Sequence, residues 1–145
     1  MSKTIGIIGV GRMGLAMARN LIGAGYPVTG YRRSAMDEFV AAGGTAAASP
    51  AAVAEDADIV FTCLPDDDAV RNALEQPDGL LGALKPGKIV VETTSLAPAQ
   101  KRAHGERIAA TGAIMLDCPV SGTPAMLEAG RGAFFVSGDR AAADR

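Results

Sequence analysis

The sequence predicts an α/β fold, a doubly wound and mainly parallel sheet with helices on both faces. Three observations predict it. Short apolar runs alternate with helical stretches along the 145 residues, the pattern of strands joined by right-handed helical crossovers. One run, Ile59 to Leu64, is apolar without polar alternation, as suits a strand covered on both faces. The 18 glycines suit the many tight turns such a sheet needs.

The elements follow in order. Ile5–Gly9 reads as the first strand and the alanine- and leucine-rich Arg12–Ala24 as the first helix. Val28–Tyr31 is a second strand. Met36–Ala42 is a short helix, stopped by Gly43-Gly44. Thr45–Ala47 is a weak third strand. Ser49 is a good N-cap with Pro50 at the first helical position, starting a helix to about Glu55. Ile59–Leu64 is a strand and Asp67–Glu75 a helix. A Pro86-Gly87 turn precedes the strand Lys88–Glu92. Pro98–Ala110 is helical, Ala113–Asp117 a strand and Ala133–Ser137 a last strand candidate. The final residues, Ala141 to Arg145, read as no finished element, so the expectation is one domain of a longer protein.

Bulk composition narrows the function. The length suits a single domain, and 48% hydrophobic with 21% charged residues suits one packed core. A net charge of −2 argues against general nucleic-acid or membrane-surface binding, which favours basic clusters. No apolar run reaches the length of a membrane span. The chain enters a strand at once, so no signal peptide is expected. The two cysteines, Cys63 and Cys118, lie in apolar segments and read as buried, reduced thiols of a cytoplasmic protein.

The segment TIGIIGVGRMG, Thr4 to Gly14, carries the most chemistry. Gly9, Gly11 and Gly14 stand in G-x-G-x-x-G spacing between a strand and a helix, the context that makes this motif informative. Gly9 permits the turn, Gly11 removes a side chain where a pyrophosphate touches backbone, and Gly14 lets helix and strand pack closely. The amides of Gly9, Val10, Gly11, Arg12, Met13 and Gly14 are the expected phosphate cradle, with the helix dipole behind them. The predicted fold is therefore of Rossmann type.

The end of the second strand selects the dinucleotide. NAD calls for an acid there, whereas an arginine accommodates the 2′-phosphate of NADP. Here the sequence reads Tyr31-Arg32-Arg33-Ser34, and no acid appears before Asp37. Two guanidinium groups and a hydroxyl suit a phosphate dianion. The expectation is NADP over NAD.

Several stretches resemble one family, the β-hydroxyacid dehydrogenases. GVGRMGLAMARNLIGAGYPVTGYRRS resembles their opening pattern. Cys63-Leu64-Pro65 matches the LP after the fourth strand. VVETTSLAP, Val90 to Pro98, is similar to their D-x-S-T-x-x-P segment, with Glu92 for Asp. DCPVSGTP, Asp117 to Pro124, is similar to their DAPVSGG signature. The resemblance covers residues 3 to 139 and is that of an N-terminal NAD(P)-binding domain of the 3-hydroxyisobutyrate and 6-phosphogluconate dehydrogenase type.

The resemblance implies roles residue by residue. Leu64 and Pro65 line the path toward the nicotinamide, and Ser95 contacts the cofactor near it. Ser121, Gly122 and Thr123 hold a small-molecule substrate carboxylate, although Thr123 replaces the usual second glycine. The implied reaction is hydride transfer between nicotinamide and a small 3-hydroxy acid or semialdehyde. An imine reductase domain and a non-catalytic NADP-sensing module stay open as alternatives. Family enzymes place a general acid/base lysine on a helix after this domain, within a helical C-terminal domain that dimerises. The lysines here are Lys3, Lys85, Lys88 and Lys101. They sit near strand starts, turns or a helix surface, so no catalytic residue is expected in this chain and a homo-oligomer only for a full-length protein. No metal site is expected.

Three further features have plainer readings. His104, the single histidine, lies among Lys101, Arg102, Glu106 and Arg107 and reads as a solvated helix residue. Asp66-Asp67-Asp68 reads as a helix cap rather than a metal site. Met13 and Met17 read as packing beneath the glycine turn.

Overall fold

The computed structural model describes residues 2–145. Six short strands, β1 (Ile5–Ile8), β2 (Val28–Tyr31), β3 (Thr45–Ala46), β4 (Ile59–Thr62), β5 (Ile89–Glu92) and β6 (Ile114–Asp117), form one sheet. Its order is β3-β2-β1-β4-β5-β6, and every pairing is parallel. The order reverses between β1 and β4, which opens a crevice at their carboxyl ends, the place where open α/β sheets bind ligands.

The sheet has two unlike faces. The helices α3 (Pro50–Asp56), α4 (Asp67–Glu75) and α5 (Pro98–Ala109) cover one face, where Ile8, Val60 and Val90 meet Val53, Val70, Leu74 and Ile108. On the other face α1 (Arg12–Gly23) and α2 (Asp37–Ala41) cover β1 and β2, where Ile5, Ile7 and Val28 meet Leu15, Met17 and Phe39. Each fully buried aliphatic side chain contributes about 1.5–3 kcal/mol, so these strands are held mainly by what lies above and below them. Over β4–β6 this second face is covered thinly, leaving an apolar groove of about 330 Å³ among Ile59, Phe61, Ile89, Val91, Leu116 and Leu127.

Local signals place the helix ends. Ser49 Oγ accepts from the Ala52 amide at 3.1 Å, and Pro50 opens α3. Asp66 accepts from the Ala69 amide at 2.8 Å to open α4. Both match the sequence reading, as do the six strands to within two residues at each end. Phe39 is buried because Gly30 and Gly44 both leave room for its ring.

The C-terminal segment after β6 departs from expectation. Residues 120–145 hold two short helices, α6 (Pro124–Glu128) and α7 (Arg140–Ala143). The last strand candidate splits: β8 (Ala133–Phe134) pairs antiparallel with β7 (Val120–Ser121), and Ser137 bridges Asp117. The tail read as unfinished is a capped turn of helix, with Asp139 accepting from the Ala142 amide at 2.8 Å and Ala142 buried against β6 residue Leu116. Helices of one turn carry too little periodicity to be read from sequence.

Gly9 fixes the central joint. Its φ is +98°, and a Cβ there collides with the Cys63 carbonyl and lies 3.0 Å from Leu64 Cδ2. A Cβ on Gly14 collides with the Gly9 carbonyl, whereas one on Gly11 meets no atom within 4 Å. Gly9→Ala is therefore expected to lower unfolding free energy in urea by about 3 kcal/mol. Gly11→Ala is expected to stay within about 0.5 kcal/mol of the parent.

Candidate functional site

The crevice begins where β1 hands the chain to α1. Gly9 donates its amide to the Tyr31 carbonyl at 2.8 Å, and Cys63 donates to the Ile8 carbonyl at 2.9 Å. These bonds hold the ends of β1, β2 and β4 together. Gly11 is the N-cap of α1, no side chain caps it, and its first turn has no acid. By contrast α3, α4, α6 and α7 each have a side-chain oxygen on an early amide. The first amides of a helix lack intrahelical acceptors, so α1 presents N–H groups and positive dipole beside the empty volume at Gly11.

A cleft of about 160 Å³ opens next to this turn, lined by Gly9, Arg32, Arg33, Leu64 and Pro65, with Tyr31, Asn72 and Gln76. Of the residues expected along the dinucleotide path, Gly9, Arg32, Arg33, Leu64 and Pro65 line this cleft, and Val10, Gly11, Arg12, Met13, Gly14 and Ser34 do not. Tyr31, the α4 residue Asn72 and Gln76 just after it carry no motif that marks them in the sequence. Val10 is buried at 1% exposure, Met17 at 5%, and Met13 is half-buried against the same cluster. Arg12 and Ser34 are exposed.

Ser95 does not line that cleft. It sits over a neighbouring depression with Lys101, Asp117 and Pro119. Ser121 is exposed in β7, and Gly122 turns the chain with φ +135°. Thr123 is the N-cap of α6, accepting from the Met126 amide at 3.2 Å, a role its side chain fills where glycine has none. Its lone pair is engaged and its hydroxyl hydrogen remains free to donate.

The rim is braced by a polar network at the ends of β4 and β5. Glu92 is 1% exposed. Its carboxylate accepts from Thr62 Oγ1 at 2.6 Å and from the Thr94 amide at 2.7 Å. Thr94 Oγ1 in turn accepts from the Leu64 amide at 3.0 Å. Glu92 therefore fixes Leu64 from behind through Thr94, and its two hydrogen bonds offset the cost of burying a carboxylate.

Two expectations are corrected. Lys101 is not a helix-surface lysine. It is 8% exposed and donates to the Glu92 carbonyl at 3.1 Å and to Asp117 Oδ1 at 2.7 Å. His104 is not solvated either: it is 2% exposed, with Nε2 2.7 Å from Asp67 Oδ1. Buried Lys101, His104 and Ile108 lie three and four residues apart, the core stripe of α5. That spacing was the available signal, and the polarity of its members masked it. Asp66 caps α4 as expected, and no group of three metal-ligating side chains exists among the described residues.

Cys63 is half-buried and Cys118 buried, and both are free thiols. Burial pushes the Cys63 thiol up from its ordinary value, a hydrogen bond with Thr93 opposes this, and the Glu92 charge adds to it. Burial also raises Cys118, with the Asp117 charge adding and Lys101 opposing.

The family model for the NAD binding domain of 6-phosphogluconate dehydrogenase matches residues 4–145. The NAD-dependent L-serine dehydrogenase of Pseudomonas aeruginosa is 39% identical over 145 residues, 99% of this chain and 49% of that protein. A Mycobacterium tuberculosis 3-hydroxyisobutyrate dehydrogenase structure with L-serine superposes with a TM-score of 0.93 at 31% identity, over 100% of this chain and 50% of that one. The structure of Psf3 in complex with NADP+ and 2-OPP superposes with a TM-score of 0.92 at 34% identity, over 97% of this chain and 51% of that one. The chain thus spans about half the length of the relatives it matches. No helix among the described residues is long and apolar enough to cross a membrane.

Two outcomes are expected. Lys101→Met strips the Glu92 carbonyl and Asp117 of their donor. Asp117 is 38% exposed and recruits water, so the loss in urea unfolding is about 1–2 kcal/mol. Because the thiolate is the reactive form, both raised thiols of the folded chain should react with a disulfide reagent at pH 8 at least about tenfold more slowly than in denaturant. The rate should climb as pH rises. Equal rates at pH 8 contradict this.

Proposed function

This chain belongs to the family of the NAD binding domain of 6-phosphogluconate dehydrogenase and is an NAD(P)-binding domain, and we propose that its dinucleotide is NADP rather than NAD. Gly11 carries the pyrophosphate site that both dinucleotides share, and the arginine pair at the end of β2, with no acid beside it, carries the choice of NADP. Gly11 lies between two glycines demanded by protein packing, yet a side chain there meets no protein atom within 4 Å. The space fits a pyrophosphate, held by the amides of Val10 to Gly14, since the Gly9 amide is taken by the Tyr31 carbonyl. Arg33 and Ser34 take the 2′-phosphate, with Arg32 beside them. The ion pairs of the described residues use Arg19, Arg71, Lys101, His104, Arg107 and Arg140, so Arg33 is left unpaired among them. No carboxylate precedes Asp37 to repel the phosphate.

Leu64 and Pro65 wall the path from this cleft toward the Ser95 depression, where the nicotinamide end sits. When bound, the nicotinamide supplies or accepts hydride. The chain's own residues orient it and exclude water. Ser121, Gly122 and Thr123 hold the carboxylate of a small 3-hydroxy acid or semialdehyde through hydroxyl and backbone N–H donors. Lys101 is committed to Glu92 and Asp117 and is not the acid/base group. That group, a lysine in the family, belongs to a helical C-terminal domain of the whole protein. Residues 1–145 are its dinucleotide-binding part, and the apolar groove beneath α1 and α7 suits packing against the remainder. The whole protein is a cytoplasmic NADP-dependent oxidoreductase and a homo-oligomer.

Calorimetric titration tests the reading. NADPH should bind at least about tenfold more tightly than NADH, from one added charge-assisted phosphate site. Arg33→Ala should erase most of that preference and leave NADH binding unchanged. Equal affinities in the parent overturn the NADP assignment. The full-length protein assayed with semialdehydes and with cyclic imines separates hydroxy-acid from imine chemistry.

A further inference from the structure

Arg32 and Arg33 stand side by side at the end of β2, but they are engaged differently. Arg32 is half-buried. Its Nε donates to Ser34 Oγ at 2.6 Å, and its Nη1 donates to the Val10 carbonyl at 3.1 Å. Arg33 is exposed. Val10 belongs to the phosphate turn and its side chain is 1% exposed, so its carbonyl is a fixed point. The planar guanidinium ties that point to Ser34, across 22 residues of sequence.

The tie has a directional consequence. Ser34 uses a lone pair to accept from Arg32, which leaves its hydroxyl hydrogen to be given elsewhere. Ser34 is exposed and is thereby set as a donor beside Arg33. The turn at Val10 is held against the β2 end before any anion arrives, which lowers the ordering cost of binding.

We propose that Arg32 is a positioning residue that braces the phosphate turn and aims Ser34, while Arg33, with the hydroxyl of Ser34, distinguishes NADP from NAD. The inference rests on the dinucleotide reading above. It divides two adjacent arginines that the sequence alone treats as equivalent.

Titrations of NADPH and NADH against the parent, Arg32→Ala, Arg32→Lys, Ser34→Ala and the Arg32→Ala/Ser34→Ala double variant test it, with melting curves confirming folded protein. Arg32→Ala should weaken both dinucleotides by about five- to tenfold, and NADPH beyond NADH by no more than Ser34→Ala does. Arg32→Lys should not restore binding, because one ammonium cannot replace the planar fork. Ser34→Ala should cost NADPH more than NADH. The double variant should lose less for NADPH than the sum of the two single changes, since the residues act as one unit. The proposal is overturned if Arg32→Ala abolishes the NADPH preference with NADH unchanged, which makes Arg32 a direct phosphate ligand. It is also overturned if Arg32→Ala alters neither affinity. A parent without preference sinks the NADP assignment but leaves the brace to be judged by the shared loss. A parent binding neither dinucleotide sinks both. Should Arg32→Ala fail to fold, Arg32→Lys and Ser34→Ala decide: a full rescue by lysine, or equal loss of both dinucleotides in Ser34→Ala, overturns the proposal.

Discussion

The backbone at Gly9 has no room for a side chain. Its amide bonds to the end of β2, its missing side chain admits the Cys63 carbonyl at the end of β4, and its own carbonyl lies against Gly14 in α1. Three strands and a helix therefore meet within one residue's width. Everything that follows depends on this joint. It sets the depth at which α1 starts, aims the helix amides outward, and opens the crevice at the point where the strand order reverses.

The crevice is shaped on either side by different physics. On the β2 side the wall is charged and adaptable, with Arg32 tied down and Arg33 exposed. On the β4–β5 side it is rigid and buried, because Glu92 satisfies Thr62 and Thr94, and Thr94 satisfies Leu64. A buried carboxylate with both oxygens hydrogen-bonded stiffens its surroundings. Beyond it, Lys101 joins β5 to Asp117 at the start of the Ser121 turn. The crevice and the Ser121 turn are thus connected through the backbone ends of neighbouring strands.

Much of this was legible in the residues. The glycine spacing, the Ser49 and Asp66 caps and the apolar runs of β1, β4 and β5 are local signals, and each element they mark is present. The illegible parts were those whose meaning comes from a distant partner. His104 and Lys101 look like surface residues because their neighbours in sequence are charged. They are buried because Asp67 lies 37 positions away from His104 and Asp117 lies 16 positions away from Lys101. Cβ space explains the glycines likewise: Gly9 and Gly14 are required by protein atoms, whereas Gly11 is not. Sequence spacing alone treats the three as one motif.

The order of the elements, the glycine turn and the arginine pair after β2 were determined by sequence alone, because propensity, periodicity and turn chemistry act over a few residues. Tertiary structure decided which charged groups are buried, which arginine is restrained and where the sheet is left thinly covered. Those outcomes depend on groups brought together from well-separated positions in the chain, a meeting that no local pattern encodes.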